Sequence, residues 1–341
     1  MVRRRFAAGL DVGGTKCAVL LGELEGEGIR VVGKRRFATA EFPDPLRCLG
    51  RMCELLDELL TERNVRKQNV IGVGISCGGP LDSASGTVLS PPNLPGWDAV
   101  PAVSFVEQRT GLRARLENDA NACALAEWKF GAGRGTENMV FLTFGTGLGA
   151  GIIANGRLLS GHSGMAGECG HIRLARSGPV GYGKAGSFEG FCSGEGIAQL
   201  GCAYAEKALK KGKPPVWCSE KKDLPKVTAK LLGDAAEHGD GDACAVYRES
   251  GRRLGEGLSI LIDLLNPECI VIGSIFARSE SLLRPEMERR IAAEALPSSA
   301  RVCRIVPAAL GESVGDIASL SIAVEAFADP RSGEKTPTDE P

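Results

Sequence analysis

What the 341-residue chain lacks narrows it first. It has almost no net charge: 41 basic and 42 acidic side chains leave −1, so no strongly basic surface is on offer to nucleic acid or an anionic membrane. No apolar run reaches the ~18 residues of a membrane helix. The start, MVRRRFAAGLDV, is basic and then apolar, but it lacks a small-residue cleavage site and soon meets Asp11. It reads as a strand with a charged lead-in, not an export signal. Twelve cysteines occur, scattered through apolar patterns such as those holding Cys17, Cys123 and Cys269. Without an export signal they read as reduced core thiols, which places the chain in the cytoplasm. Neither a Walker A loop nor a strand–GxGxxG–helix fingerprint is present.

What is there is ordinary globular composition, 43% hydrophobic and 24% charged, at a length that suits about two domains. Short apolar strands are expected at 6–12, 16–22 and 29–37, a helix at 45–63, and a buried strand at 70–76. A helix at 101–110, a strand at 112–117 and a helix from NDANACALAEW follow. MVFLTF and LGAGIIA form two strands about a glycine turn, and Asn155-Gly156 marks a further hairpin. Residues 160–195 are a long, glycine-rich structured loop. Helical patterns run from 193 to 266, broken at 210–226; CIVIGS and RVCRIVPAAL read as strands, and VGDIASLSIAVEAF as a closing helix. The tail, 329–341, is expected to be disordered. GLDVGGTKCAVLLG and FLTFGTGLGAGIIANG share one plan of strand, Gly/Thr turn and strand, which points to a duplicated α/β fold with a cleft between the halves.

The two turns invite a chemical reading. Glycines let backbone amides approach a ligand closely, and successive amides make a concave anion site. Gly13, Gly14, Thr15 and Lys16 in the first turn, and Gly145, Thr146 and Gly147 in the second, are candidates to hold phosphate. Asp11 would hold the accompanying Mg²⁺, which commonly takes one or two carboxylates plus phosphates and waters. Two tight hairpins with no ligand are the alternative. LENDANACALAEW sets Asn118 and Asp119 between a strand and a helix. Asp119 is either the helix cap or a general base that takes a proton from an attacking hydroxyl.

GLDVGGTK, GISCGGPLD, PPNLPGW, ENDANACALAEW, LTFGTGLGAGII and AGECGH stand in an order and spacing that resembles the ROK family of sugar kinases and repressors, from about residue 6 to 328. The resemblance implies an α/β, actin-like (hexokinase/ribonuclease H-like) fold of two domains with a central cleft. A small N-terminal domain of 1–118 plus about 310–328 and a larger one of 119–309 are expected. It implies ATP and Mg²⁺, with a hexose as substrate and Asp119 as catalytic base. Gly78, Gly79, Asn93, Asn118, Glu168, His171 and Glu189 are the implied sugar residues, and Gly273 lines the nucleotide side. The family often forms dimers, so a homodimer is a further expectation.

The chain departs from that family at one point. Members often hold zinc with a histidine and three cysteines before the glutamate, but Val180, Tyr182 and Ser187 fill the three cysteine positions. His171 alone cannot supply the roughly four ligands zinc needs, so no zinc is expected. Tyr182, Phe188 and Phe191 are expected to shape the loop by packing. The first glycine turn begins near residue 9, so a repressor's DNA-binding segment is not expected, nor is any nucleic acid or membrane partner. Glucose is the expected sugar. Fructose, N-acetylglucosamine, N-acetylmannosamine and allose are rivals, and a non-catalytic sugar-binding regulator is a rival of another class.

Overall fold

The computed structural model describes residues 4–328; the tail expected to be disordered lies outside the described residues. The chain divides into two compact units. The first runs up to residue 134, with 161–164 and the segment from 312 onward; the second holds 135–160 and 165–311.

The first unit opens with β1 (Phe6–Val12), β2 (Lys16–Glu25), β3 (Gly28–Ala38) and α1 (Pro45–Glu62). β4 (Val70–Cys77), the small hairpin β5 (Leu81–Asp82) and β6 (Thr87–Val88), α2 (Ala102–Thr110), β7 (Ala114–Asn118) and α3 (Asp119–Phe130) follow. Its sheet has the order β3-β2-β1-β4-β7, antiparallel along β3-β2-β1 and parallel along β1-β4-β7. β1 and β4 are buried almost throughout, as strands covered on both faces must be. α1 covers one face with Leu49, Met52, Leu56 and Leu59, all fully buried at helical spacing. Asp44 caps its start by accepting from the Arg47 amide at 2.8 Å, and Pro45 opens the first turn, where it has no amide to lose.

The closing helix (Val314–Phe327) packs on the other side of β1 and β4. It comes so close that a Cβ on Gly74 would overlap the Ser319 carbonyl oxygen. α3 also packs against this helix. The boundary expected at 118/119 would part β7 from α3; α3 instead stays with the first unit, and the division falls after Arg134.

The second unit repeats the plan. β8 (Met139–Phe144), β9 (Leu148–Ala154) and β10 (Arg157–Leu158) are joined by tight turns. At the second of these, Asn155 and Gly156 take φ of 51° and 68°, the left-handed pair a two-residue hairpin needs. The hairpin β11 (Val180–Gly181) and β12 (Lys184–Ala185) leads to α4 (Phe188–Phe191), α5 (Gly194–Lys210), α6 (Ala229–Glu237) and α7 (Gly241–Leu265). β13 (Cys269–Ile272), α8 (Ile275–Glu294), α9 (Pro297–Val302) and β14 (Arg304–Pro307) complete it, and the closing helix is α10. The sheet order is β10-β9-β8-β13-β14, again two antiparallel pairings followed by two parallel ones. The duplication read from the two glycine-turn segments is therefore present in the strand topology.

Two local expectations change. The pattern after CIVIGS declares no helix, yet α8 spans 20 residues there. Pro285 lies inside it and Ser279 departs from helical geometry (φ −120°, ψ 27°), so a breaker and a kink hide the period. The strand expected across RVCRIVPAAL shortens to Arg304–Pro307, because Arg301 and Val302 belong to α9. Among the described residues no helix is long and apolar enough to cross a membrane, and all twelve cysteines are free thiols.

The α10 contact makes a testable claim. Gly74→Ala should lower stability by about 1–3 kcal/mol, the usual penalty for forcing volume into a packed core. Gly315→Ala, in the first turn of the same helix with open space around it, should leave stability level or raise it slightly. Thermal denaturation of the two variants checks both directions.

Candidate active site

In the first unit the register lines up three strand ends. Val12 of β1 pairs with Cys77 of β4, and Cys77 with Asn118 of β7. The Gly13–Lys16 turn, the Gly78-Gly79 pair and the Asn118-Asp119 pair therefore leave the carboxyl ends of three parallel neighbours side by side, where open α/β sheets bind ligands. Asn93 joins them from its loop. A Cβ on Gly14 would overlap the Asn93 carbonyl oxygen, and one on Gly78 would stand 3.4 Å from Asn93 Oδ1. A Cβ on Gly79 would stand 3.3 Å from Asn118 Nδ2. The glycines are what let these segments meet. The first turn is tied down by Thr39, whose hydroxyl donates to the Gly13 carbonyl at 2.6 Å and whose amide donates to the Thr15 carbonyl at 3.0 Å. Lys16 is exposed at the start of β2.

The N-cap at this helix start is the neighbour of Asp119. Asn118 is the N-cap of α3: its Oδ1 accepts from the amides of Ala120 at 2.8 Å and Asn121 at 3.3 Å. Asp119 follows as the first helical residue, with Oδ1 2.8 Å from the Ala120 amide. It remains solvent-accessible, yet the protein around it displaces enough water to raise its pKa above the ordinary aspartate value. Asp11 is pushed further, to about 6, first by desolvation and then by the charges of Asp119 and Asp316; Lys16 and Lys34 pull the other way. Two carboxylates thus share one field with no cation paired to either at close range, a donor set that fits a Mg²⁺ arriving with phosphates.

Glu117 was not anticipated. It is buried, and its Oε1 accepts from the Asn118 amide at 3.0 Å, the Asn121 side chain at 2.9 Å and the Ser83 hydroxyl at 3.2 Å. It fixes the turn that presents Asn118 and Asp119. A carboxylate at the end of an apolar strand was the available signal. Thr39 gave none, since only strand pairing brings it to the first turn.

The second unit gathers its own candidates. Gly145, Thr146 and Gly147 form the β8–β9 turn, closed by the Gly145 amide on the Gly147 carbonyl at 3.0 Å. Glu189, on α4, accepts from the Leu148 amide at 3.0 Å, and a Cβ on Gly147 would come within 2.8 Å of its Oε2. Glu168 and His171 flank a single 3₁₀ turn, Cys169–His171, and both are exposed. A Cβ on Gly170 would reach 3.3 Å from Glu189 Cβ, so the segment carrying Glu168 and His171 lies beside Glu189. Gly273 is buried against Phe141. The exposed residue there is Ser274, held at φ 52°, and a Cβ on Gly145 would stand 3.6 Å from its hydroxyl. Ser274 is thus the position that faces the second turn, a residue the strand pattern alone did not single out.

Hydrogen bonds shape the 172–187 loop. The Leu174 and Ala175 amides both donate to the Gly186 carbonyl, the Gly186 amide to Pro179, and Lys184 Nζ to the His171 carbonyl at 2.7 Å. Phe188 and Phe191 are buried beneath it, as expected. Tyr182 is not: it is 81% exposed, so its expected packing role is corrected. The reason is backbone geometry, because Tyr182 occupies the tip of the β11–β12 turn. Among the described residues no group of three or more His, Cys, Asp or Glu side chains is placed to hold a metal ion.

The raised Asp11 pKa has a signed consequence for stability. The folded chain keeps a proton that the unfolded chain has already lost between the ordinary value of 3.8 and about 6. Stability therefore falls as pH rises through that window, and the loss is complete above it. Asp11→Asn should raise stability at pH 7.5 by on the order of 2–3 kcal/mol, with the gain vanishing toward pH 4. Denaturant unfolding at the two pH values checks it.

Comparison with known proteins follows the same outline. A profile of the ROK family matches residues 7–325. A glucokinase of Halalkalibacterium halodurans is 33% identical over 315 residues, covering 92% of this chain and 93% of its own length. A xylose repressor of Caldicellulosiruptor bescii is 30% identical over 268 residues, 78% of this chain and 65% of the repressor. The crystal structure of a ROK family glucokinase from Streptomyces griseus in complex with glucose and AMPPNP is similar at a TM-score of 0.68 and 29% identity, covering 95% of this chain and 99% of that one. The architecture is the expected α/β, actin-like one. With a family profile that spans nearly its whole length and a full-length relative at 33% identity, the chain belongs to the ROK family.

Proposed function

We propose that this chain is an ATP-dependent sugar kinase that transfers the γ-phosphoryl group to a hexose hydroxyl, with Asp119 as general base. The observation that carries the reading is the cap: Asn118 serves the helix amides, so the raised carboxylate of Asp119 is available to a substrate at the strand ends. A base with a pKa lifted toward the working pH is better matched to its task than an ordinary aspartate. The full-length relatives named glucokinase, and the complex of one with glucose and AMPPNP, support glucose as the sugar.

Each unit carries its own set of candidate groups. In the first, Asn118, Asn93 and the backbone at Gly78 and Gly79 bind and orient the sugar, and Asp119 accepts the hydroxyl proton. Gly13, Gly14, Thr15 and Lys16 hold phosphate oxygens. Asp11 would hold Mg²⁺ through water, and the ion would neutralise phosphate charge there. In the second, Glu168, His171 and Glu189 pair with sugar hydroxyls, while Gly145, Thr146 and Gly147 receive phosphate and Gly273 lines the nucleotide side. Such transfer rests largely on positioning and charge stabilisation. No zinc enters this reading: the hydrogen-bonded hairpin holds the loop in which relatives of this family place it.

The match to a repressor raises a second reading, a sugar-binding regulator without catalysis. Against it stand Asp11, Asp119 and both glycine turns, which a sensor has no need to keep together.

Asp119→Asn should lower kcat by at least 10²- to 10⁴-fold while sugar binding by calorimetry stays within a few-fold. A coupled ADP-release assay across glucose, fructose, allose, N-acetylglucosamine and N-acetylmannosamine should give the highest kcat/KM with glucose. Near-normal turnover in the variant removes Asp119 as base. Sugar binding without ADP release from the wild type leaves the regulator reading.

A further inference from the structure

We propose that Tyr182 is a sugar-contacting residue: its exposed ring forms an aromatic wall beside His171, on a hairpin packed against Glu189, and a pyranose lays a face of C–H bonds on it. The inference rests on the sugar-site reading above and deepens it by naming the class of sugar favoured.

The starting point is a residue in the wrong place. Val180 pairs with Ala185 and Gly181 with Lys184, so Tyr182 and Gly183 are the two central residues of a tight hairpin. Their φ angles are 42° and 74°, the left-handed pair of a type I′ turn. Gly, Asn and Asp suit the first of those positions; a bulky side chain there is an outlier. Backbone strain of this kind persists where the surroundings enforce it, and it clusters at ligand sites. Packing does not explain the tyrosine, because its ring is 81% exposed. Its aromatic neighbour is His171, met edge-on with centroids 6.4 Å apart and planes at 76°.

The hairpin is held firmly under the ring. Gln199 clamps Val180 from both sides, accepting from its amide at 2.8 Å and donating to its carbonyl at 2.9 Å. Lys184 Nζ donates to the His171 carbonyl at 2.7 Å. Gly181 lies so close to Glu189 that a Cβ there would stand 2.8 Å from Glu189 Cβ. The hairpin backbone that carries the ring is therefore held in place, with the ring edge-on to His171 and Gly181 packed against Glu189.

The chemistry selects a sugar class. When every ring substituent is equatorial, as in the gluco configuration, both faces of a pyranose present axial C–H bonds and no hydroxyl. Such a face buries apolar area on an aromatic ring. An axial hydroxyl at C2, C3 or C4 interrupts a face, and a furanose lacks a flat one. Tyr182 thus discriminates for gluco-configured pyranoses and against their epimers.

The test uses Tyr182→Gly and Tyr182→Phe in the intact chain, with steady-state kinetics on glucose, mannose and allose. Glycine suits the turn better than tyrosine, so Tyr182→Gly should fold and raise Tm. It should also raise KM for glucose about five- to tenfold at little change in kcat, and shrink the preference for glucose over the epimers. Tyr182→Phe keeps the ring and should restore both KM and preference. A Tyr182→Gly enzyme with wild-type KM and wild-type epimer ratios overturns the inference and leaves the kinase reading standing. A wild type that phosphorylates none of the sugars overturns both.

Discussion

The side chain of Asn118 accepts the amides of Ala120 and Asn121 at the start of α3, and the Asp119 carboxylate beside it shares only the first of these, through one oxygen. Helix starts need an acceptor, and with Asn118 as the cap only one oxygen of Asp119 is drawn into that duty. Glu117 underwrites the arrangement from below, since its buried oxygen receives both the Asn118 amide and the Asn121 side chain. Three consecutive residues therefore fill three positions: an anchor at Glu117, a cap at Asn118 and, at Asp119, the carboxylate proposed as the base. The raised pKa values of Asp119 and Asp11 both come first from desolvation at these strand ends, with the charges of Asp119 and Asp316 adding to the effect on Asp11.

Glycine makes that crowding possible. The strands end side by side, and the segments that follow can close on each other only where a Cβ is missing, as at Gly14 against Asn93 and Gly79 against Asn118. The second unit uses the same device, with Gly147 and Gly170 on either side of Glu189. Equal strand order in the two sheets means that one solution to the turn problem was available twice.

Much of this was legible beforehand because it is local. An apolar run that stops at a glycine pair states a strand end, and Asn155-Gly156 states a hairpin. The Asn118-Asp119 pair announced a helix start but not which of the two would cap it, because both residue types serve and the decision lies in one residue of register. α8 was illegible for a different reason: Pro285 and the kink at Ser279 interrupt the pattern that would declare it. Tyr182 departs from expectation because an aromatic in a loop suggests burial, whereas the left-handed turn at its backbone leaves the ring exposed. Thr39 and Ser274 reach their glycine turns through tertiary pairing, which leaves no mark in composition or spacing.

Glu189 gives the arrangement an unexpected economy. One of its oxygens is engaged by the Leu148 amide, just past the second turn, while the residue itself lies among the groups assigned to the hexose. Under the proposed assignment this side chain would both brace the nucleotide's loop and meet the acceptor alcohol, and so could not report on either alone. Loss of that carboxylate would then loosen both grips at once, tying the apparent affinities for the two proposed co-substrates through one side chain with no distant relay.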